Sequence, residues 1–272
     1  MAFPILNHYG RMRSSGEPTP TDASSTRING PQTIKSLYRY YTDVRYLKKH
    51  GWDVWVYGRY EQGFPPSLKN PPDIYRTIFT TIYMVGNKSV LSHTTVAVVG
   101  SRRASPEALE RAGKLGETLA SAYPLVTGLA EGVDAAAVEG ALKAGGWVVG
   151  VRPWLFPVSG EYFAEVSRRG CVLSHNLHKL REDASWVDRQ FFLRNMLIAM
   201  LAKAVVIVEA RPGGGTMHML EVASKRWRPV YVLEPPASEG EAWEAFDEFV
   251  GAGAIPVNSP EALVRALNAG EI

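Results

Sequence analysis

Cysteine is nearly absent from the sequence: Cys171 is the only one among 272 residues. An internal disulfide is therefore excluded, and we expect the protein to act in the reducing cytoplasm. Long apolar runs are absent as well, since no stretch reaches the ~20 residues of a membrane span. The start of the chain lacks the apolar core of a signal peptide, and we expect residues 1–35 to form a disordered or extended tail without membrane contact.

Patterns that would indicate a metal or catalytic centre are also scarce. His175 and His178 lie three positions apart after a predicted strand, and His218 follows a glycine loop. A metal site needs three or four convergent ligands, and no cysteine or carboxylate spacing completes one. We therefore predict no metal, no cofactor and no catalytic residues.

Positive charge is distributed unevenly along the chain. Residues 1–93 contain 12 Lys or Arg against 6 Asp or Glu, whereas residues 94–272 contain 18 against 21. A basic first part suits a polyanionic partner, although ordinary surface charge explains the same numbers. Aromatic residues are interleaved with the cations between positions 35 and 60, where packing on the rest of the protein is the preferred interpretation of the rings.

From position 94 onward, short apolar runs alternate with helical patterns. The predicted strands are 96–99, 125–127, 147–151, 171–174, 204–209 and 230–233. The predicted helices are 106–122, 134–144, 161–169, 189–203, 216–226, 241–251 and 260–268. Near-continuous apolar strands are typical of a parallel sheet covered on both faces. We therefore predict an α/β fold, with a doubly wound, mostly parallel Rossmann-like domain over residues 94–272.

A small, basic and aromatic-rich amino-terminal segment is predicted before this domain, over residues 36–93. Its first part, 36–50, repeats apolar residues at the helical period, and 52–57 alternates like a short edge strand. Residues 74–85 are largely apolar and are followed by a turn at 86–87.

Three loops follow predicted strands at the carboxyl ends, where open α/β sheets bind ligands. Their candidate residues are, in order, Gly100, Ser101 and Arg102; Gly128 and Asp134; and Gly213, Gly214, Gly215 and Thr216. Glycine turns before helices aim backbone N–H groups at an anion, and Arg102 adds a planar fork of donors. Asp134 is predicted to cap the helix that follows. Each loop alone is an ordinary turn, but three at one edge of the sheet predict a phosphate-binding surface.

These motifs resemble the DNA-processing protein A family, also called DprA or Smf. The resemblance covers roughly residues 64–268, and the motifs occur in the family's order and spacing. They are GN at 86–87, VAVVGSRRAS at 96–105, TGLAEGVDAAA at 127–137, GALKAGG at 140–146, FLRN at 192–195 and VIVEA at 206–210.

The resemblance implies an extended Rossmann fold with no established catalytic activity. It further implies binding of single-stranded DNA, loading of a RecA-type recombinase during natural transformation, and a homodimer. The residues that match the family's DNA pocket are Arg102, Phe192, Arg194 and Asn195. Cations hold the backbone of a single strand and aromatic faces stack on its bases, so Phe191 is a second candidate for the aromatic role.

Three positions depart from the family's pattern. Glu131 stands where an arginine is usual, Val138 replaces a histidine, and Met196 replaces the second arginine of an Arg-Asn-Arg motif. Each change removes a positive charge or a hydrogen-bond donor, so the resemblance implies weaker DNA binding or a different path for the strand.

The glycine loop at 212–216 suggests an alternative function. It resembles a loop of the "lonely guy" phosphoribohydrolases, which release a base from a nucleoside monophosphate with an arginine and a glutamate three residues after the threonine. Met219 occupies that position here, while Glu221 comes five after and Glu209 ends a strand. A hydrolase of this type, or a carrier or sensor of a nucleotide-containing cofactor, remains the alternative to a DNA-binding protein.

Overall fold

The computed structural model describes residues 53–59, 64–69, 79–157, 160–211, 215–224, 228–235 and 240–269, together with Arg45, Lys48 and Lys49. The strands are β1 (Val54–Gly58), β2 (Thr81–Gly86), β3 (Thr95–Val99), β4 (Leu125–Thr127), β5 (Val148–Val151), β6 (Cys171–Ser174), β7 (Ala202–Ile207), β8 (Val230–Leu233) and β9 (Ile255–Val257). The helices are α1 (Pro66–Lys69), α2 (Pro106–Leu119), α3 (Val133–Lys143), α4 (Phe163–Arg169), α5 (Ala184–Leu201), α6 (Met217–Ser224), α7 (Gly240–Gly251) and α8 (Pro260–Ala269), and a 3₁₀ helix covers Lys88–Ser92.

The described strands form one sheet of nine, in the order β1-β2-β6-β5-β4-β3-β7-β8-β9. The seven strands from β6 to β9 in this order are parallel to one another. At one edge of the sheet, β2 pairs antiparallel with β6, and β1 pairs antiparallel with β2. The predicted α/β fold with a mostly parallel sheet is therefore confirmed. The chain moves outward from β3 in one direction through β4 to β6 and in the other through β7 to β9. The switch point between β3 and β7 is where open α/β sheets bind ligands.

The boundaries of most elements agree with the sequence patterns within a few residues. Helix α5 begins at Ala184, five residues before its predicted start, because the Asp183 side chain accepts a hydrogen bond from the Trp186 N–H at 3.0 Å and caps the helix. Most of the predicted helix over 36–50 lies outside the described residues, but Arg45, Lys48 and Lys49 are helical and exposed.

Two strands were not identified from the sequence. In β2, at the end of the apolar stretch 74–85, Val85 pairs with Val54 of β1 and with Val172 of β6, so this stretch joins the main sheet. Strand β9 at the opposite edge has only three residues, including Pro256, and Ile255 is 42% exposed. Short edge strands of this kind give too little pattern for detection.

Helices cover both faces of the sheet, so the strands are buried on both sides. All five residues of β3 are buried, which explains the run of four apolar side chains that follows Thr95. Side chains of α5 and α6 belong to one hydrophobic cluster, and those of α2, α3 and α8 belong to the other. Among the residues that the structure describes, none of the helices combines the length and apolar character required to cross a membrane.

Helices α2 and α3 pack unusually closely because glycines lie where they cross. A Cβ atom added at Gly140 would collide with the backbone carbonyl of Gly113, and one added at Gly116 would collide with that of Ala137. By contrast, nothing lies within 4 Å of a Cβ added at Gly251, the last residue of α7. Replacing each of these two glycines by alanine therefore separates the cost of overpacking, expected at Gly140, from the gain in helix propensity alone, expected at Gly251.

We predict that Gly140→Ala lowers the free energy of unfolding by about 2 kcal/mol, because overpacking outweighs the ~1 kcal/mol gain in helix propensity. Gly251→Ala is the matched control and is expected to be neutral or slightly stabilising. Urea unfolding followed by circular dichroism measures both. A Gly140→Ala variant as stable as the wild type would show that the helices separate at little cost.

Candidate nucleic-acid interface

Backbone hydrogen bonds join three loops at the carboxyl edge of the sheet. The Ser101 N–H donates to the Glu209 carbonyl at 2.7 Å, which links the loops after β3 and β7. The Val133 N–H donates to the Ser101 carbonyl at 3.1 Å, which links the loops after β4 and β3. Three segments that are distant in sequence therefore form one continuous edge at the switch point.

Gly132 allows the closest of these approaches. Its φ of +77° is in the left-handed region, and a Cβ there would lie 2.6 Å from the Arg102 carbonyl oxygen. Any other residue would push the second loop away from the first. The part of the third loop that is described also meets the first, since Arg211 Nη2 donates to the Arg103 carbonyl at 3.3 Å.

The remainder of the third loop is only partly described. Gly213 and Gly214 lie outside the described residues. Gly215 is exposed and Thr216 is half-buried, directly before α6. The prediction that this glycine turn binds phosphate is therefore still a prediction.

Arg102 is exposed at the end of β3 and lies against an aromatic ring. Its guanidinium carbon is 5.5 Å from the centroid of the Phe191 ring on α5. Arg103 and Arg211 are also exposed on these loops. The edge therefore presents three cations to solvent, and Arg102 keeps its donors available for an anion.

Arg194 lies on the same face of α5 as Phe191, but below the surface. Its guanidinium carbon is 5.7 Å from the centroid of the Phe191 ring, and the residue is only 7% exposed. Burial lowers the pKa of Arg194, the negative charge of Asp134 opposes that shift, and the positive charge of Arg102 adds to it. The Nε–H has no hydrogen-bond partner among the described residues. Direct contact between Arg194 and DNA therefore stays a prediction.

Asp134 is the buried anion beneath this site. Its carboxylate accepts hydrogen bonds from the N–H of Gly128 at 2.9 Å and of Ala130 at 3.4 Å. Burial raises the pKa of Asp134, while Arg194 and these backbone donors lower it. The predicted capping role was wrong: Gly132 occupies the N-cap of α3 without a side-chain cap. Asp134 follows inside the first turn, where its carboxylate reaches back to the loop.

Gly128 provides the space that this buried pair needs. A Cβ atom added at Gly128 would collide with Nη1 of Arg194 and would lie 2.9 Å from Oδ2 of Asp134. The arginine side chain therefore crosses the backbone at a point where only glycine fits. Each of the two groups lowers the energetic cost of the other's charge, since the positive charge of Arg194 lowers the pKa of Asp134 and the negative charge of Asp134 raises that of Arg194.

Phe192 and Asn195 are placed differently from Phe191. The Phe192 ring is half-buried against the core and meets the His218 ring edge-on at 5.6 Å, on the side of α6. Asn195 is half-buried on α5. The structure therefore brings Arg102, Arg194, Gly128 and Asp134 together around Phe191, while Phe192 lies toward the third loop.

Two tryptophans and a lysine join this site that the sequence reasoning did not select. The Trp154 ring is 5.9 Å from the Phe191 ring and stacks on Trp186 at 6.2 Å, with 19° between the two planes. The Lys179 ammonium lies 5.5 Å from the Trp154 ring. Trp154 comes three residues after the end of the predicted strand 147–151, so its place at the carboxyl edge of the sheet was a signal present in the sequence. Trp186 was missed because the helix was predicted to start after it.

A buried polar network lies beneath the two tryptophans. Nε2 of His175 donates to Oε1 of Gln190 at 2.9 Å, and Nδ2 of Asn176 donates to the same oxygen at 2.8 Å. Asn176 Nδ2 also donates to the Pro153 carbonyl at 3.0 Å. Burial lowers the pKa of His175 to about 4, so this histidine is neutral and structural at pH 7.

The residues considered for hydrolysis do not form a catalytic pair. The Glu209 carboxylate accepts hydrogen bonds from the Ser105 hydroxyl at 2.7 Å and from its N–H, and thereby supports the start of α2. Met219 is buried in the core, while Glu221 is exposed on α6 and lies 3.9 Å from His218. Within the part of the chain that the structure describes, no three histidine, cysteine or acidic side chains converge as a metal site would require.

The family model and the similar sequences point to one family. Residues 55–268 match the model of the family described as DNA recombination-mediator protein A. The chain is 30% identical to protein Smf of Escherichia coli K12 over 219 residues, covering 76% of this chain and 55% of that protein. It is 28% identical to the DNA processing protein DprA of Streptococcus pneumoniae R6 over 163 residues, covering 58% and 57%. The alignments thus span little more than half the length of these relatives.

Solved structures show the same fold. The crystal structure of DNA processing protein A from Streptococcus pneumoniae superposes with a TM-score of 0.67 at 24% identity, covering 88% of this chain and 83% of that chain. A structure of DNA processing protein A from Helicobacter pylori, described for its single-stranded DNA binding mode, superposes with a TM-score of 0.63 at 24% identity, covering 80% and 96%.

We predict that Asp134→Ala lowers the free energy of unfolding by about 3 kcal/mol, because it leaves the buried charge of Arg194 without its anion. Adding Arg194→Met to this variant is expected to restore part of the loss. Glu117→Ala, an exposed substitution on α2, is the control and is expected to change stability by less than about 0.5 kcal/mol. Strictly additive losses in urea unfolding would contradict a coupling between Asp134 and Arg194.

The lowered pKa of His175 predicts a pH dependence of stability. As the pH falls from 7 to 5, the unfolded chain gains a proton at its ordinary pKa of 6.5 while the folded chain does not. The free energy of unfolding therefore falls by about 2 kcal/mol through this residue, and the loss is complete once the pH is below about 4. Unfolding of wild type and His175→Gln at pH 7, 6 and 5 measures it. Equal slopes for the two proteins would refute the assignment.

Proposed function

This chain belongs to the DNA recombination-mediator protein A family, and from that premise we propose that it binds single-stranded DNA at the carboxyl edge of its sheet. The observation that carries the proposal is the arrangement of Arg102 over the ring of Phe191. A single strand needs cations for its phosphates and aromatic faces for its bases, and this pair offers both within 5.5 Å.

The local charge favours an anionic ligand. Arg102 and Arg194 lie against the same ring, and the charge of Arg102 disfavours the charged form of Arg194. Asp134 offsets one of these two positive charges from below. A phosphate beside Arg102 would balance the other.

Of the three departures from the family's pattern, two are buried and only one is exposed to a ligand. Val138 and Met196 are fully buried in the two hydrophobic clusters, so neither position faces a ligand. Glu131 is exposed in the loop after β4. It is the one of the three departures that places a negative charge near a DNA backbone, and it supports weaker binding than an arginine there would give.

The wider role of the protein follows from its family. We propose a function in DNA processing and recombination, with loading of a RecA-type recombinase during natural transformation and a homodimer as its finer parts. The single-stranded DNA binding described for the Helicobacter pylori protein supports a function in DNA processing. The cytoplasm is the proposed compartment, which suits a chain whose only cysteine, Cys171, is buried and reduced.

Hydrolysis of a nucleoside monophosphate is the competing proposal, and the geometry gives it little support. The carboxylate of Glu209 is engaged with Ser105, and Glu221 lies exposed on α6. No second function is therefore proposed, and base release serves as an outcome of the test below.

We expect Arg102→Ala to weaken binding of a labelled oligo-dT by roughly tenfold or more, because a charge-assisted hydrogen bond to phosphate is lost. The slope of log affinity against log salt is expected to fall by about 0.7, the value for one phosphate contact on a single strand. Arg102→Lys should keep the slope while binding more weakly, since it retains the charge and loses the planar fork. Fluorescence anisotropy across a salt series measures all three proteins.

Arg168→Ala is the matched control, because Arg168 is exposed at the end of α4, on the opposite edge of the sheet. It is expected to bind like the wild type. Loss of binding in both arginine variants to the same degree would indicate unspecific charge attraction. Absence of binding by the wild type, together with release of free base from a nucleoside monophosphate, would replace the proposal with the hydrolase.

A further inference from the structure

We propose that Trp154 and Trp186 form a second base-stacking surface, which extends the path of the single strand beyond Arg102 and Phe191. This inference rests on the proposed function and adds to it a named place for the neighbouring bases. The ligand class is the nucleobases of single-stranded nucleic acid, which stack on aromatic faces regardless of sequence.

The aromatic side chains form a continuous row that starts at the cationic edge. Phe191 contacts Arg102 on one side and Trp154 on the other, with ring centroids 5.9 Å apart. Trp154 in turn stacks on Trp186 at 6.2 Å. A strand whose phosphate is held at Arg102 therefore has aromatic surface next to its adjacent bases, contributed by the loop after β5 and the first turn of α5.

The row of aromatic rings is partly exposed to solvent and has a cation beside it. Trp154 and Trp186 are half-buried rather than enclosed. Lys179 lies 5.5 Å from the Trp154 ring, where its ammonium is close to any backbone that crosses the indole. Partly exposed aromatic rings beside a cation are the combination that single-strand binding proteins use.

The loop that carries Trp154 is held rigidly before any ligand arrives. Backbone N–H groups on both sides of it, at Arg152 and Leu155, donate at 2.9 Å to the carbonyls of Leu173 and Asn176. The Asn176 amide also holds the Pro153 carbonyl at 3.0 Å. The backbone on either side of Trp154 is thus fixed by three hydrogen bonds to β6 and to the segment that follows it.

Trp186 is fixed from the helix side. Asp183 accepts a hydrogen bond from its N–H at 3.0 Å, which sets the start of α5, and the Gln190 amide donates to its carbonyl at 3.4 Å. Gln190 belongs to the buried network with His175 and Asn176. The same network therefore supports the backbone at both tryptophans, and the stacking of their two rings restrains the side chains before bases bind.

The test compares variants that keep an apolar side chain at position 186 but differ in whether it has an aromatic face. Trp186→Leu is expected to weaken binding of a long oligo-dT by roughly 5-fold to 150-fold, the range for one stacked base, and Trp186→Phe to recover most of it. Trp154→Leu is expected to behave like Trp186→Leu. The salt slope should stay at the wild-type value for all of them, since no phosphate contact is removed.

An oligonucleotide with abasic sites in place of its bases provides the second arm. The wild type is expected to bind it more weakly than oligo-dT, and Trp186→Leu should bind it no worse than the wild type does. Trp147→Leu is the matched control, because Trp147 is 37% exposed and precedes β5 at the opposite edge of the sheet. Thermal unfolding of each variant confirms that it is folded.

The outcomes separate the two proposals. Wild-type affinity of both leucine variants, or an equal loss on abasic and normal strands, would overturn the stacking surface alone, provided that Arg102→Ala still weakens binding. If Arg102→Ala binds like the wild type, the proposed single-strand site itself fails.

Discussion

The buried charges of Asp134 and Arg194 are the constraint on which this edge of the molecule depends. A cation on helix α5 is enclosed almost completely, and its counter-charge comes from the first turn of α3. The same carboxylate binds the backbone of the loop after β4 at Gly128 and Ala130. The carboxylate therefore joins the first turn of α3 to this loop, and its charge favours the charged form of Arg194 on α5.

The two arginines near Phe191 differ in burial, since Arg194 is buried and Arg102 is exposed. Arg194 is committed to the interior, whereas Arg102 is free to meet a ligand at the surface. Both guanidinium groups lie close to the Phe191 ring, at 5.5 and 5.7 Å from its centroid. A ligand at this edge contacts a cation that already lies against an aromatic ring. The glycine loops that surround this cation pack closely against each other. Such preorganisation favours recognition of a flexible strand, because the protein has little order left to gain.

The sequence predicted the parts of this arrangement that depend on chain order, and missed those that depend on depth. Parallel strands, their helices and the meeting of the first two glycine loops follow from apolar runs and the topology of α/β sheets. Burial of Arg194 does not, because a periodic pattern cannot show that Asp134 lies beneath it. Phe191 and Phe192 are adjacent on one helix, so a rotation of one residue decides which ring meets Arg102. The stacked tryptophans come from a loop and a helix start that are 32 positions apart.

Strand β9 has a consequence for how copies of this chain can meet. It closes the sheet with three residues, one of which is Pro256 and has no N–H to offer a neighbouring strand. Pairing of β9 with a strand of another molecule is therefore disfavoured, which protects this edge of the sheet against aggregation through added strands. A contact between two copies at this border therefore relies on side chains rather than on strand pairing.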